Sequence, residues 1–283
     1  MWAAGTTDST RRFPGGVHSP LTVADLSRLH RRDRVVISIC LVLVIALAWA
    51  YLVHLGRQMS SSMDYDMRMA AMGMSVDRPW AAADVLYTFA MWTVMMVGMM
   101  AGTAAPVLFL FAAMQSGRRE RGTRFAVLTF GIGYITVWVG FSAMAAIAQW
   151  ALHDAALLSP AMVASSSILS GGILIAAGAY QLTPLKGSCL RQCRTPLGFL
   201  VANWRDGTRG ALAMGLRHGL HCLACCWALM CVLFVVGVMN LAWVAALTVF
   251  VLIEKIGPGG LVVSRIAGAA MIVAGVLFMT GFP

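Results

Sequence analysis

Residues 84–114 read DVLYTFAMWTVMMVGMMAGTAAPVLFLFAAM, a run of 31 residues in which Asp84 is the only charged side chain. A helix needs about 20 apolar residues to cross the hydrocarbon core of a bilayer. This run is long enough to do so, and it predicts a membrane-spanning helix.

The composition of the whole chain agrees with that prediction. Of its 283 residues, 60% are hydrophobic and 11% are charged, and the mean hydropathy is +0.80. Soluble domains have about 25% charged residues. The apolar content excludes a disordered chain, and the length with its continuous apolar runs excludes a small disulfide-stapled secreted module.

Seven apolar runs meet or approach the length of a membrane span. They are residues 35–55, 84–114, 125–152, 163–185, 211–238, 241–256 and 260–282. The chain is therefore predicted to be an all-α, polytopic membrane helix bundle of seven transmembrane spans. Its predicted parts are a basic N-terminal segment (1–34), a first anchor (35–55), an external methionine-rich connector (56–83) and a six-span metal-binding domain (84–283).

The positive charges predict the orientation of these spans. Under the seven-span assignment, 18 of the 21 lysines and arginines fall on the same side as the N-terminus. Positive residues concentrate on the cytoplasmic side of membrane proteins. The N-terminus is therefore predicted to be cytoplasmic, and the net charge of +10 is explained without a nucleic-acid partner.

Candidate metal ligands are most concentrated in residues 217–226, RHGLHCLACC. Helical spacing places four side chains on one stripe and a fifth one turn further along; these are His218, His221, Cys222, Cys225 and Cys226. Cys189 and Cys193, one turn apart on the same predicted side, could join them. Thiolates and imidazoles suit copper(I), zinc or iron–sulfur clusters. Two other interpretations stay open, namely cysteines that only fill space and a Cys222/Cys225 redox pair.

A second candidate set lies along the run quoted first. Asp84, Met91, Met95 and Met99 share one helical seam, and thioethers bind copper(I) without adding charge. Packing by the methionines and helix capping by Asp84 are the alternatives. The methionines between 59 and 74 predict either a metal-collecting segment or an interfacial amphipathic helix. Glu254 and Lys255 are interpreted as a paired or snorkelling anchor at the inner boundary.

Several of these segments together resemble a known family. They are the run MWTVMMVGMM (91–100), the run YQLTPLK (180–186) leading to Cys189 and Cys193, and the stretch from Gly215 to Asn240. They look like the bacterial predicted metal-binding integral membrane proteins, also called domain of unknown function 2182. The resemblance covers about residues 84–280. It implies a multi-pass protein of the bacterial cytoplasmic (inner) membrane whose cysteines and histidines bind a metal.

The resulting hypothesis is a membrane protein that binds a soft metal for transport, delivery or sensing. Copper is the expected metal, with zinc and iron as alternatives, and the expected partners are the lipid bilayer and a metal donor or acceptor protein. Two rival functions remain, a metal-dependent oxidoreductase acting on a lipid-soluble substrate and a thiol–disulfide enzyme. The sequence contains no P-loop and no HExxH motif, which disfavours ATP-driven pumping and zinc proteolysis.

Overall fold

The computed structural model describes residues 31–72, 80–117, 123–155, 157–158, 163–164 and 166–281. Within these ranges the regular structure is helical, which confirms the all-α class. Its helices are α1 (Arg31–Ala71), α2 (Ala82–Gly117), α3 (Thr123–Asp154), α4 (Ser167–Leu182), α5 (Pro184–Arg194), α6 (Pro196–Asn203), α7 (Gly207–Cys231), α8 (Leu233–Val236), α9 (Leu241–Ile256) and α10 (Gly260–Thr280).

The number of helices that could cross a membrane is smaller than the seven predicted. Five described helices are long and apolar enough, and a sixth is added if the bent pair α4–α5 counts as one span. Each predicted apolar run does coincide with helix, but α4 and α9 have only 16 residues each. At 1.5 Å per residue they are about 24 Å long, which is less than the hydrocarbon thickness of about 30 Å. The count of seven is therefore not confirmed.

The first helix differs from its predicted extent. The apolar run ends at residue 55, whereas α1 continues without interruption to Ala71. No proline follows Gly56 in this segment, so nothing in the backbone stops the helix where hydrophobicity falls. Thus most of the predicted 56–83 connector is an extension of α1. Met59 is partly buried and Met72 is exposed, while the side chains of Met63, Met67 and Met69, and the whole of Met74, lie outside the described residues.

Close helix contact positions the elements that carry the candidate site. A Cβ atom added to Gly215 of α7 would collide with the backbone carbonyl of Phe130 in α3, and one added to Gly133 would collide with that of Leu212. Small residues allow this approach of two backbones. As a consequence the side chain of Tyr134 in α3 contacts Cys222 of α7.

The break between α4 and α5 turns the chain back toward α7. Pro184 occupies the first turn of α5, and the Thr183 side chain accepts a hydrogen bond from the Lys186 backbone N–H. The two helix axes differ by 64°. Proline at this position starts a helix and discourages its preceding residue from helical geometry. The bend packs α5, with Cys189 and Cys193, against the core formed by α2, α3, α7 and α9.

Candidate metal site

Four thiols from two helices meet in the core, and we call them the thiol cluster: Cys193 of α5 with Cys222, Cys225 and Cys226 of α7. The Cys193 and Cys225 sulfurs are 4.0 Å apart. The three cluster cysteines of α7 are almost completely buried, and none of the seven cysteines of the chain forms a disulfide. The sequence left open whether Cys189 and Cys193 meet the cysteines of α7, and in the structure Cys193 does so.

Two of these thiols share one backbone acceptor in α7. The thiols of Cys225 and Cys226 both donate hydrogen bonds to the Cys222 carbonyl oxygen, at 3.1 and 2.9 Å. Cys189 is less buried and packs against the same core. Cys189 therefore lies at the edge of the thiol cluster.

A lysine that was interpreted as an interface anchor lies inside the core instead. Lys255, 6% exposed, donates from Nζ to the Cys222 sulfur at 2.8 Å, and its Nζ is 3.9 Å from the Cys226 sulfur. Its third neighbour is the Thr103 hydroxyl at 3.5 Å. The prediction that Lys255 snorkels at the boundary is wrong, because the end of α9 is covered by α2, α5 and α7 rather than by water. A nearby cation stabilises the thiolate, which is the metal-binding form of cysteine.

Tyr134 is the other partner of Cys222 that the sequence did not indicate. Its hydroxyl is 3.0 Å from the Cys222 sulfur, 3.1 Å from the Met100 carbonyl and 3.3 Å from the Thr103 hydroxyl. This network joins α2, α3 and α7 at one level. Cys222 is consequently the most densely contacted thiol of the cluster.

Glu254, the neighbour of Lys255, belongs to a separate buried pair. Its carboxylate accepts hydrogen bonds from Lys186 Nζ at 2.8 and 3.0 Å, and both side chains are only 1% exposed. Gln181 also accepts from Lys186, and the Ser264 hydroxyl donates to Gln181. The expected pairing of Glu254 is correct, but its partner is Lys186 and its place is the core.

The two histidines of the stripe occupy different environments. His218 is 3% exposed, stands among the rings of Phe130, Tyr134 and Phe199, and its Nδ1 has no hydrogen-bond partner. His221 is half-buried, and its Nδ1 is 2.7 Å from the Arg217 carbonyl. Because a carbonyl only accepts, this contact is a hydrogen bond when Nδ1 carries the proton, and Nε2 is then the ring nitrogen that can bind a metal.

The methionine seam is buried in the core that also contains the α7 cysteines. Met91, Met95 and Met99 are at most 5% exposed. The Thr103 hydroxyl is 3.9 Å from the Cys222 sulfur. The seam therefore leads along α2 toward the thiol cluster, with four-residue steps of about 6 Å. The structure therefore joins these two predicted sets in one interior.

Asp84 lies far from the thiols. Its carboxylate accepts a hydrogen bond from the Ala81 N–H at 2.9 Å, in the first turn of α2. Nineteen residues of helix separate it from Thr103, or about 28 Å. Asp84 thus has the geometry of a helix cap, the alternative considered for it, and its role as a metal ligand stays a prediction.

The donors do not form a finished metal site. Within the part of the chain that the structure describes, no three histidine, cysteine, aspartate or glutamate side chains are arranged to hold an ion. The Cys193 and Cys225 sulfurs are neighbours, but the four thiols do not converge on one point. Their chemistry nevertheless fits a soft cation, since four thiols and two imidazoles lie close together and the carboxylate beside them is bound by Lys186.

The chain belongs to the PpoB2 copper chaperone family, whose model matches residues 89–278. This range includes the seam, the thiol cluster and both buried lysines. No curated protein and no solved structure matches the chain. The expectation of a metal-related family is confirmed at the level of copper, whereas the particular family predicted from the sequence is not.

Proposed function

We propose that this chain is a multi-pass protein of the bacterial cytoplasmic membrane that binds copper(I) at the thiol cluster and delivers it to an acceptor protein. The observation that supports this most strongly is that Cys193 meets the three cluster cysteines of α7 beside a buried ammonium. The membership of the copper chaperone family supports copper as the metal.

The outer surface of the helices supports the membrane part of the proposal. Large apolar side chains stand exposed on several helices, among them Leu47 at 68%, Leu86 at 65%, Ile168 at 70% and Ile266 at 66%. Soluble monomers rarely expose such extended apolar surface. The charged pair Lys186–Glu254 is meanwhile in the interior, as ionisable residues of membrane bundles are. The distribution of positive charges favours a cytoplasmic N-terminus.

The spacing of the thiols favours copper(I) as cargo. With metal–sulfur bonds of about 2.3 Å, two sulfurs 4.0 Å apart subtend an angle of about 120° at a shared ion. That angle leaves room for a third donor, and Cys222 precedes Cys225 by one turn of α7, with its carbonyl oxygen 3.1 Å from the Cys225 sulfur. A three-sulfur site suits a soft univalent ion, whereas structural zinc takes four ligands in a tetrahedron.

The incomplete set of ligands also favours delivery of the copper over its permanent retention. A closed set of four ligands must lose a bond before an acceptor can bind the metal. An incomplete set lets an acceptor thiol bind first and a cluster thiol leave afterwards. The neutral methionine seam offers further weak donors on the same interior path. Copper would then move by ligand exchange without crossing the core as a bare ion.

A transfer experiment tests this function. The detergent-purified protein is loaded anaerobically with one equivalent of copper(I) and mixed with increasing amounts of a soluble chromophoric copper(I) chelator. We expect the copper to leave at a rate that rises with chelator concentration, because the acceptor takes part in the exchange. A Cys40→Ser variant is the matched control, since Cys40 is exposed on α1 away from the cluster, and it should transfer copper at the wild-type rate.

The rival oxidoreductase function predicts a different result. A resident catalytic copper would stay bound, or would leave at a slow rate independent of the chelator. Either result would contradict delivery, even if copper binding itself were demonstrated.

A further inference from the structure

Lys255 places a fixed positive charge against the thiol cluster. Its Nζ contacts Cys222 at 2.8 Å, and within the described ranges it takes part in no ion pair with a carboxylate. The other buried lysine, Lys186, is neutralised by Glu254. The two lysines therefore differ in their electrostatic effect, and the charge of Lys255 acts directly on any ion held by the sulfurs.

The repulsion between this ammonium and a bound ion grows with the charge of the ion. A metal bonded to Cys222 on the side away from Lys255 lies about 5 Å from Nζ, which is the sum of the 2.8 Å contact and a metal–sulfur bond of about 2.3 Å. At an effective dielectric constant of about 20, one additional unit of charge at that distance weakens binding by about 200-fold. Water is excluded from Lys255, so little screening reduces this effect.

Resting on the function proposed above, we infer that Lys255 is a specificity-determining residue, which makes the thiol cluster favour univalent copper(I) over divalent ions such as zinc. Thiolates alone bind both ions well, so softness of the donors does not separate them. The ammonium supplies the missing discrimination, since it repels a divalent ion twice as strongly as a univalent one. Lys255 also holds Cys222 in place through its hydrogen bond without being a ligand itself.

The test compares Lys255→Leu with Lys255→Arg. Leucine removes the charge and supplies no atom that binds a metal, and arginine keeps the charge. Anaerobic competition titrations with chromophoric chelators give the association constants for copper(I) and for zinc(II) separately. We expect the copper-to-zinc ratio of constants to fall by about 200-fold in Lys255→Leu and to keep its wild-type value in Lys255→Arg.

The ratio makes the result independent of general damage to the site. A distorted cluster would weaken the binding of both ions together and leave the ratio unchanged. That outcome in a Lys255→Leu protein that still binds metal would overturn the inference while leaving the copper function intact. An equal loss of discrimination in Lys255→Arg would also overturn it, because the charge would then not be the cause. A wild-type protein that binds neither ion would defeat the proposed function itself.

Discussion

A variant carrying both Cys222→Ser and Cys225→Ser should bind copper(I) at least about 100-fold more weakly than the wild type. Loss of groups that merely orient metal ligands costs about 10- to 100-fold in affinity, and here two of the four clustered thiols are removed. Cys222 is also the thiol that meets both Lys255 and Tyr134. The measurement is the copper retained per protein after anaerobic loading and passage over a desalting column, followed by a chelator titration.

The matched control removes two cysteines outside the cluster. Cys40 is exposed on α1, and Cys231 lies at the end of α7. A Cys40→Ser, Cys231→Ser protein should retain as much copper as the wild type. Equal retention in all three proteins would show that the thiol cluster is not the binding site.

The second large effect is expected from the buried Lys186–Glu254 pair. Lys186→Met should destabilise the protein by about 3–5 kcal/mol, because it leaves the carboxylate of Glu254 buried without its cation. A double variant, Lys186→Met with Glu254→Gln, removes both charges and should recover most of that loss. Thermal unfolding of the three proteins in the same detergent measures the difference.

This pair matters to the site because it fixes the end of α9. Arg194 donates a hydrogen bond to the Glu254 carbonyl at 2.6 Å, while the Glu254 side chain binds Lys186 of α5. Lys255, the next residue, is thereby held facing α7. A single Lys186→Met variant as stable as the wild type would show that the pair does not anchor this end of the helix.

The helices could be predicted from the sequence because each is a long apolar run, and every predicted run coincides with helix. Their lengths could not be predicted as well. Hydrophobicity ends at residue 55, but the backbone of α1 has no reason to stop before Ala71. The apolar run 163–185 likewise does not indicate that α4 starts at Ser167 or that the chain bends at Pro184. The bend depends on backbone geometry rather than on hydrophobicity.

The stripe on α7 was also predictable, since helical spacing alone brings Cys222, Cys225 and Cys226 together. The contact with Cys193 was not, because it depends on the 64° bend between α4 and α5. One feature of the sequence distinguishes Lys255 from the other basic residues. Only two of the 21 basic residues are lysines, Lys186 and Lys255, and both are buried in the core.

X-ray absorption spectroscopy of the copper-loaded, reduced protein shows whether copper(I) is bound by the sulfurs of the thiol cluster, because it reports which elements are bonded to the metal. We expect univalent copper with two or three sulfur neighbours at about 2.3 Å, and fewer sulfurs in the Cys222→Ser, Cys225→Ser variant. A first coordination sphere made only of nitrogen or oxygen in the wild type would contradict this expectation.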